Sequence, residues 1–309
     1  MQPLVLPSFA KINLGLRVLG RRPDGYHELR TTLQTIDLAD EIVLEESPAL
    51  SLIVEGRFPV PADDSNLVLR AARALADGRP GHGARITLRK TIPPGAGLGG
   101  GSSNAAVALL GLDRLWGLDT DPGVLYAMAS RLGMDVPFFL YGGRCLAVGR
   151  GDEVLPLPDL PETRHLVVVW PGLSLSTREV YEGLPLSLTR PRILSSMKGF
   201  LPGPQQRAAG DREGIADPEP RLPEVVNDLE ETAFMKVPAM QRLKDRLIGS
   251  GASAAAMSGS GSAVFGLFSS AHEADRAAAS LAGGETAAFS CRTLARDAYH
   301  LNLFKRSRT

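Results

Sequence analysis

The sequence predicts an α+β fold in two domains, on three observations. The chain has 309 residues, more than one ordinary hydrophobic core needs and enough for two. Strand-like and helix-like stretches are mixed without strict β-α-β alternation, which argues against a doubly wound parallel sheet. A proline-rich stretch, Leu155 to Pro161, interrupts the periodic segments near the middle of the chain and marks a boundary, giving domains of residues 1–157 and 158–309.

In the first 90 residues, short β-branched and aliphatic runs alternate with turn signals. Lys11–Leu19 and Tyr26–Ile36 flank Arg21-Arg22-Pro23-Asp24-Gly25, where Pro-Asp-Gly supplies the turn, so these two runs predict a hairpin. Ile42–Glu46 and Ser51–Glu55 follow as strands, Asn66–Ala76 as a helix with apolar Leu67, Leu69, Ala71, Ala74 and Leu75, and Ala84–Arg89 as a strand. After a glycine-rich loop come helices at Ser103–Trp116 and Val124–Leu132, and Cys145–Leu157 returns to strand. Beyond the boundary, His165–Trp170 reads as a buried strand, and Val225–Phe234 and Met240–Leu247 read as helices. Ala263–Phe268, Ala271–Leu281 and Ala287–Leu294 then read strand, helix, strand. Pro202–Pro223 carries five prolines, three glycines and many charges with little apolar content, which predicts a mobile insertion without chemistry of its own.

Composition removes several function classes. Lys+Arg and Asp+Glu are equal at 34 each, so no net charge draws the whole surface to nucleic acid or anionic lipid, and any anion must be gripped locally. Cys145 and Cys291 are too few for a disulfide framework or a cysteine zinc site and read as two reduced, packed thiols. The five histidines are scattered, with no HExxH or helical pair, so no metal ligand is assigned. No apolar run approaches the ~18 residues of a membrane helix, and the first 16 residues lack signal-peptide features, so the expectation is a cytoplasmic protein without a membrane partner.

The chemistry centres on Pro93-Pro94-Gly95-Ala96-Gly97-Leu98-Gly99-Gly100-Gly101-Ser102-Ser103. Glycine lets the backbone curl until successive N–H groups converge, and the missing side chains let polyanionic oxygens come close. Ser102 and Ser103 stand where a helix is expected to begin, so unpaired first-turn amides and the positive dipole end would face the same anion. A bare linker would not be clamped between a strand, two prolines and a helix. No lysine follows the last glycine, which excludes the P-loop. Gly95 to Gly100 matches GxGxxG, but Pro93-Pro94 separate strand from glycines and Asp119-Thr120-Asp121 precede a helix, which contradicts a dinucleotide fingerprint. A second small-residue cluster, Met257-Ser258-Gly259-Ser260-Gly261-Ser262, suggests another wall against the same ligand.

Three ordered stretches, Pro7-Ser8-Phe9-Ala10-Lys11-Ile12-Asn13-Leu14, the glycine-rich loop, and Ser258-Gly259-Ser260-Gly261, resemble the GHMP small-molecule kinases, the superfamily of galactokinase, homoserine kinase and mevalonate kinase. Within it, Arg22-Pro23-Asp24-Gly25-Tyr26-His27, Gly133-Met134-Asp135-Val136-Pro137-Phe138 and Asn227-Asp228-Leu229-Glu230 resemble the branch whose members phosphorylate the 2-hydroxyl of 4-diphosphocytidyl-2-C-methyl-D-erythritol with ATP, in non-mevalonate isoprenoid biosynthesis. The resemblance implies a two-domain fold with mixed, largely antiparallel sheets and an active site in the cleft between domains. It implies Asp135 as base and Lys11 as the cation that orients the hydroxyl and offsets negative charge. From the residues alone, Asp135 reads better as a turn residue and Lys11 as a solvated charge on a strand; the matched flanks reverse that preference. By the same resemblance, Tyr26 and Tyr181 sandwich the cytosine, His27 hydrogen-bonds its polar edge, Asn13 and Thr177 touch substrate, and Asn66 lies near adenine, although Ser65-Asn66 serves as well as a helix cap. Relatives that hold Mg²⁺ use a glutamate in the helix after the loop, whereas Thr91 to Leu112 has no acidic residue here; Mg²⁺ is then expected to arrive with the nucleotide.

Overall fold

A computed structural model describes residues 2–185 and 222–305; the insertion expected at 202–223 lies outside the described residues except for its last two. The opening hairpin is longer than its sequence runs, with β1 spanning Leu4–Arg21 and β2 spanning His27–Glu46. Asp37 and Asp40 are weak strand formers and separate the two expected runs of β2. Tertiary partners carry the strand through them: Asp37 accepts from the Arg292 amide at 2.8 Å, and Asp40 from the amides of Thr91 and Ile92.

The first sheet runs β3 (Ser51–Gly56), β4 (Ala84–Lys90), β2, β1, β8 (Val226–Asn227). β2 is shared, pairing through Leu29–Gln34 with β5 (Arg144–Gly149) and through Glu41–Glu46 with β4. The single strand expected over 145–157 is a hairpin of β5 and β6 (Glu153–Pro156), because Gly149 and Gly151, both at positive φ, turn the chain between them. One face of this sheet packs α1 (Leu67–Ala76), α2 (Gly100–Trp116), α3 (Pro122–Leu132) and α4 (Phe138–Tyr141) into a core that includes Leu6, Leu44, Leu75, Leu109 and Phe139.

The second sheet is wholly antiparallel, ordered β11 (Ala287–Arg292), β7 (His165–Trp170), β10 (Val264–Phe268), β9 (Ala254–Met257). The sequence analysis missed β9 because three of its four residues are alanine. Its outer face carries α6 (Glu230–Lys236), α7 (Pro238–Gly249) and α8 (Ala271–Leu281), while α5 (Thr177–Glu182) contributes Val180 to the same core. The helix expected over 225–234 starts five residues late: Val226–Asn227 pairs in parallel with Gly15 and Leu16 of β1 before α6 begins. The last helix, α9 (Arg296–Lys305), packs Tyr299 and Leu303 into the core of the first sheet although it follows the second in sequence.

The two sheets face each other across a third core. Leu166 and Val168 of β7 meet Ala10, Ile12 and Leu14 of β1 there, while Val167 and Val169 turn to Met240 and Leu247 on the helical side. Burial on both faces explains why β7 is a continuous apolar run. Lys11 and Asn13 alternate with these residues on the other face of β1 and are polar side chains that are themselves buried.

Candidate active site

Lys11 and Asn13 stand on β1 between register shifts at Phe9/Lys11 and Asn13/Gly15. Such bulges re-aim side chains. Lys11, 3% exposed, donates from Nζ to Asn13 Oδ1 at 2.7 Å and sits 3.4 Å from Asp135 Oδ2. A buried ammonium needs this compensation. Asp135 lies in the turn between α3 and α4, pinned by the buried side chains of Val136, Phe138 and Phe139, and its carboxylate is 37% exposed. Asn13 is held from behind: its Nδ2 donates to Thr31 Oγ1 at 2.8 Å, and that hydroxyl donates to the Gly15 carbonyl at 2.8 Å.

The glycine-rich loop is ordered by its carbonyls. Ser174 Oγ donates to Pro94 O (3.0 Å), Ala263 N to Ala96 O (3.0 Å), Ser258 Oγ to Gly97 O (2.9 Å), Lys11 N to Leu98 O (3.0 Å) and Ser103 N to Gly99 O (2.8 Å). The side chains of Ala96 and Leu98 are buried in the core between the sheets. With the carbonyls tied to protein, the amides of residues 95–102 have no acceptor among the described residues and remain available to a ligand. Gly97 and Gly99 have φ of +76° and +68°, and a Cβ on Gly99 would stand 2.9 Å from Phe139 Cζ and 3.0 Å from Lys11 Cγ. The loop therefore runs directly against the lysine. Gly259 closes the other side, where an added Cβ would lie 3.3 Å from Lys11 Nζ and 3.4 Å from Asn13 Oδ1.

Two expectations about the loop change. α2 begins at Gly100, three residues before the predicted start, with Gly99 as a left-handed N-cap lacking a side-chain cap. Ser103 is consequently inside the helix and fully buried, its hydroxyl accepting from Ser8 Oγ at 2.8 Å, so it faces the core. Of the two serines, Ser102 alone remains partly exposed, in the first turn of α2 with the unpaired amides of residues 100–102. Pro93 and Pro94 lie where the loop leaves β4 and carry no amide to satisfy. Asn66 is the N-cap of α1: its oxygen accepts from the Val68 amide at 2.9 Å and its nitrogen donates to Pro61 O at 2.6 Å.

The remaining residues make contacts of their own. Thr177 Oγ1 hydrogen-bonds Ser260 Oγ at 2.8 Å. The ring packed on Tyr181 is that of His27, with centroids 5.1 Å apart and planes 27° apart, whereas Tyr26 is 51% exposed with the Arg150 guanidinium 5.4 Å over its ring. His27 Nε2 is buried without a hydrogen-bond partner. Burial, with the Arg21 charge adding to it, lowers the imidazole pKa below its ordinary value. The Tyr181 phenol is pushed well above the ordinary range by burial and by the negative charge of Asp135. Sequence reasoning missed Thr31 and assigned no role to Asn227, whose Nδ2 donates to the carbonyls of Met257 (2.8 Å) and Gly259 (2.7 Å) and so holds the second glycine turn. Among the described residues, no group of three or more His, Cys, Asp or Glu side chains could hold a metal ion, and no helix is long and apolar enough to cross a membrane.

The GHMP kinase N-terminal domain model matches residues 66–143, and the GHMP kinase C-terminal model matches residues 208–284. A 4-diphosphocytidyl-2-C-methyl-D-erythritol kinase from Solibacter usitatus is 45% identical over 265 residues, covering 85% of this chain and 80% of that protein. A protein of the same name from Moorella thermoacetica is 41% identical over 281 residues, covering 91% and 95%. A crystal structure of 4-(cytidine 5'-diphospho)-2C-methyl-D-erythritol kinase superposes with a TM-score of 0.75 at 37% identity, covering 94% of this chain and 99% of that one. The homoserine kinase of Cytophaga hutchinsonii shares the fold at a TM-score of 0.63 and 18% identity, over 94% of each chain. On these matches the chain belongs to the GHMP kinases, in the branch of the 4-diphosphocytidyl-2-C-methyl-D-erythritol kinases.

Proposed function

We propose that the chain transfers the γ-phosphoryl group of ATP to the 2-hydroxyl of 4-diphosphocytidyl-2-C-methyl-D-erythritol, with Lys11 and Asp135 as the reacting-centre residues. The observation that carries this reading is the Lys11–Asp135 pair, 3.4 Å apart and directly against the glycine-rich loop. The loop amides from Gly95 to Ser102 receive the nucleotide's phosphates. Phosphoryl transfer demands placement and charge neutralisation more than covalent help. The acceptor oxygen attacks phosphorus, its proton passes to Asp135, and the bond to the β-phosphate oxygen breaks so that ADP leaves with the electron pair. Lys11, fixed by Asn13, orients the hydroxyl and offsets the charge that develops on it. Mg²⁺ bound with ATP would neutralise phosphate charge, and the partly exposed Ser102 of the first turn of α2 would be the loop side chain that could assist in holding it.

The cytidine end belongs in the compartment of Tyr26, His27 and Tyr181. The unpartnered Nε2 of His27 beside the Tyr181 ring suits a flat base with a polar edge. Tyr26 joins the stack once Arg150 gives way. Thr177 reaches the substrate from the opposite wall, and Asn66 acts as the cap that presents α1 to the adenine side. Residues 1–157 form the ATP-binding domain and 158–309 the second, with α9 packed back on the first, and the two buried free thiols suit a reducing cytoplasm. The test is ADP release with MgATP and the cytidylated alcohol, beside Asp135→Ala. Turnover unchanged in that variant removes the assigned base, and turnover of homoserine or mevalonate in preference to the cytidylated alcohol removes the substrate.

A further inference from the structure

We propose that Asp40 is a positioning residue for ATP: a buried carboxylate that holds both ends of the glycine-rich loop and so sets the direction of its amides. Resting on the reading that the loop binds ATP phosphates, it adds a part of the chain that none of the matched stretches contains.

Asp40 lies on β2, 1% exposed. Its Oδ1 accepts from the amides of Thr91 (2.7 Å) and Ile92 (2.8 Å), the last two residues before Pro93-Pro94. Its Oδ2 accepts from Asn104 Nδ2 (2.9 Å), in the second turn of α2, and from Lys90 Nζ. Lys90, 3% exposed, also donates to Asn104 Oδ1 at 3.2 Å. Asn104 Nδ2 reaches Ser8 Oγ at 2.8 Å, and Ser8 donates to Ser103 Oγ at 2.8 Å. The chain thus leaves for the loop from one oxygen of this carboxylate and returns from the loop onto the other. A Cβ on Gly100 would stand 3.3 Å from Lys90 Nζ, so the cluster lies directly beneath the first residue of α2.

The β2–β4 ladder does not need this cluster. Its pairs run from Glu46/Ala84 to Glu41/Arg89 and stop there. Asp40 is the next residue, and its side chain replaces the strand partner that Thr91 and Ile92 would otherwise require. A buried ion pair is an inefficient way to hold three elements together, since apolar residues of similar volume do so without desolvating two charges. Burial pushes the Lys90 ammonium below its ordinary pKa, with Asp40 opposing the shift. What the pair supplies is direction: fixed geometry at both loop ends, where a displacement of about an ångström is enough to spoil phosphoryl transfer. Because the pair is neutral overall, it orients the amides and does not itself attract the anion.

The test uses the full-length enzyme as Asp40→Asn and as the double variant Asp40→Asn/Lys90→Met. Asparagine keeps an oxygen for the Thr91 and Ile92 amides but turns an NH2 group toward the donors of Lys90 and Asn104; the double variant removes both charges and the conflict with Lys90, leaving only the Asn104 amide opposite. Melting temperature, steady-state kinetics in each substrate and equilibrium ATP titration are measured. Expected in Asp40→Asn is a rise of at least tenfold in KM and Kd for ATP together with a fall in kcat, with KM for the alcohol within twofold. The double variant, whose loop ends are likewise no longer locked by charge, keeps the raised ATP constants even if its melting temperature recovers. A fall in melting temperature with ATP constants within twofold of wild type overturns the proposal, as does failure of both variants to fold, since the cluster then holds up the domain and not the loop. Wild type that fails to bind ATP at all instead overturns the phosphate-loop reading beneath it.

Discussion

Replacing Gly101 with alanine separates a glycine kept for the fold from a glycine kept for a ligand. Gly101 is helical, exposed and without a positive φ, and the nearest atom to an added Cβ is Leu67 Cδ1 at 3.9 Å. Nothing in the protein excludes a methyl group there. Alanine in place of helical glycine is worth about 0.5–1 kcal/mol, so the melting temperature should rise by roughly 1–3 °C. Cα–Cβ bonds in a helix tilt toward its N-terminus, so that methyl would stand beside the free amides of residues 100–102. Displacing a phosphate oxygen from one of those amides forfeits a charge-assisted hydrogen bond of about 1.5–3 kcal/mol, or roughly 10- to 100-fold in ATP affinity. Gly97→Ala is the contrasting case: φ is +76° and the new Cβ would overlap the Ser258 carbonyl oxygen. It should lose about 2–4 kcal/mol of stability from left-handed strain and crowding. Thermal melts and calorimetric ATP titration read both variants. Gly101→Ala that is more stable and binds ATP within twofold of wild type would refute the assignment of the α2 amides to phosphate.

Three other outcomes follow from the same geometry. Asp135→Asn should lower kcat by about 10²–10⁴ with ATP affinity retained, as loss of a general base does; a decrease below tenfold in single-turnover assays speaks against that role. Thr31→Val preserves shape but leaves the buried Asn13 amide without its acceptor, a penalty of about 1–3 kcal/mol, so both melting temperature and kcat should fall, the latter about tenfold; unaltered kcat would show that Lys11 does not depend on this relay. His27 has its pKa depressed, so it is neutral above the unfolded value near 6.5, and any stability or cytidine affinity that depends on the neutral ring is full there and is lost only as pH falls below it. Cytidine titrations between pH 8 and pH 5 should be flat at the upper end and weaken at the lower in wild type, and the acid limb should vanish in His27→Phe.

The legible parts of the molecule are those whose cause is local. Pro-Asp-Gly makes a hairpin turn wherever it stands, and β7 was readable because burial on both faces leaves an uninterrupted apolar run. The loop was readable because five glycines in seven positions have few other uses. Where the reading failed, a distant partner had overruled local preference. Asp37 and Asp40 stay in strand because Arg292 and the amides of Thr91 and Ile92 bind them. Val226–Asn227 is extended because β1 and the turn at 257–259 supply its hydrogen bonds. Ser103 faces inward because α2 starts three residues early, when Gly99 takes up a left-handed cap.

Residue order alone thus determined the α+β class and the two glycine-rich turns, since each is written in local patterning and turn chemistry, and the order of those stretches along the chain carried the resemblance that implied the kinase family. Only the tertiary structure decided which way the loop's amides point, that His27 and not Tyr26 lies on Tyr181, and that Thr31, Asn227 and Asp40 stand behind the site. These are matters of orientation, set by hydrogen bonds between residues as far apart as Gly97 and Ser258, and a side chain's direction is determined by whatever it meets across the fold.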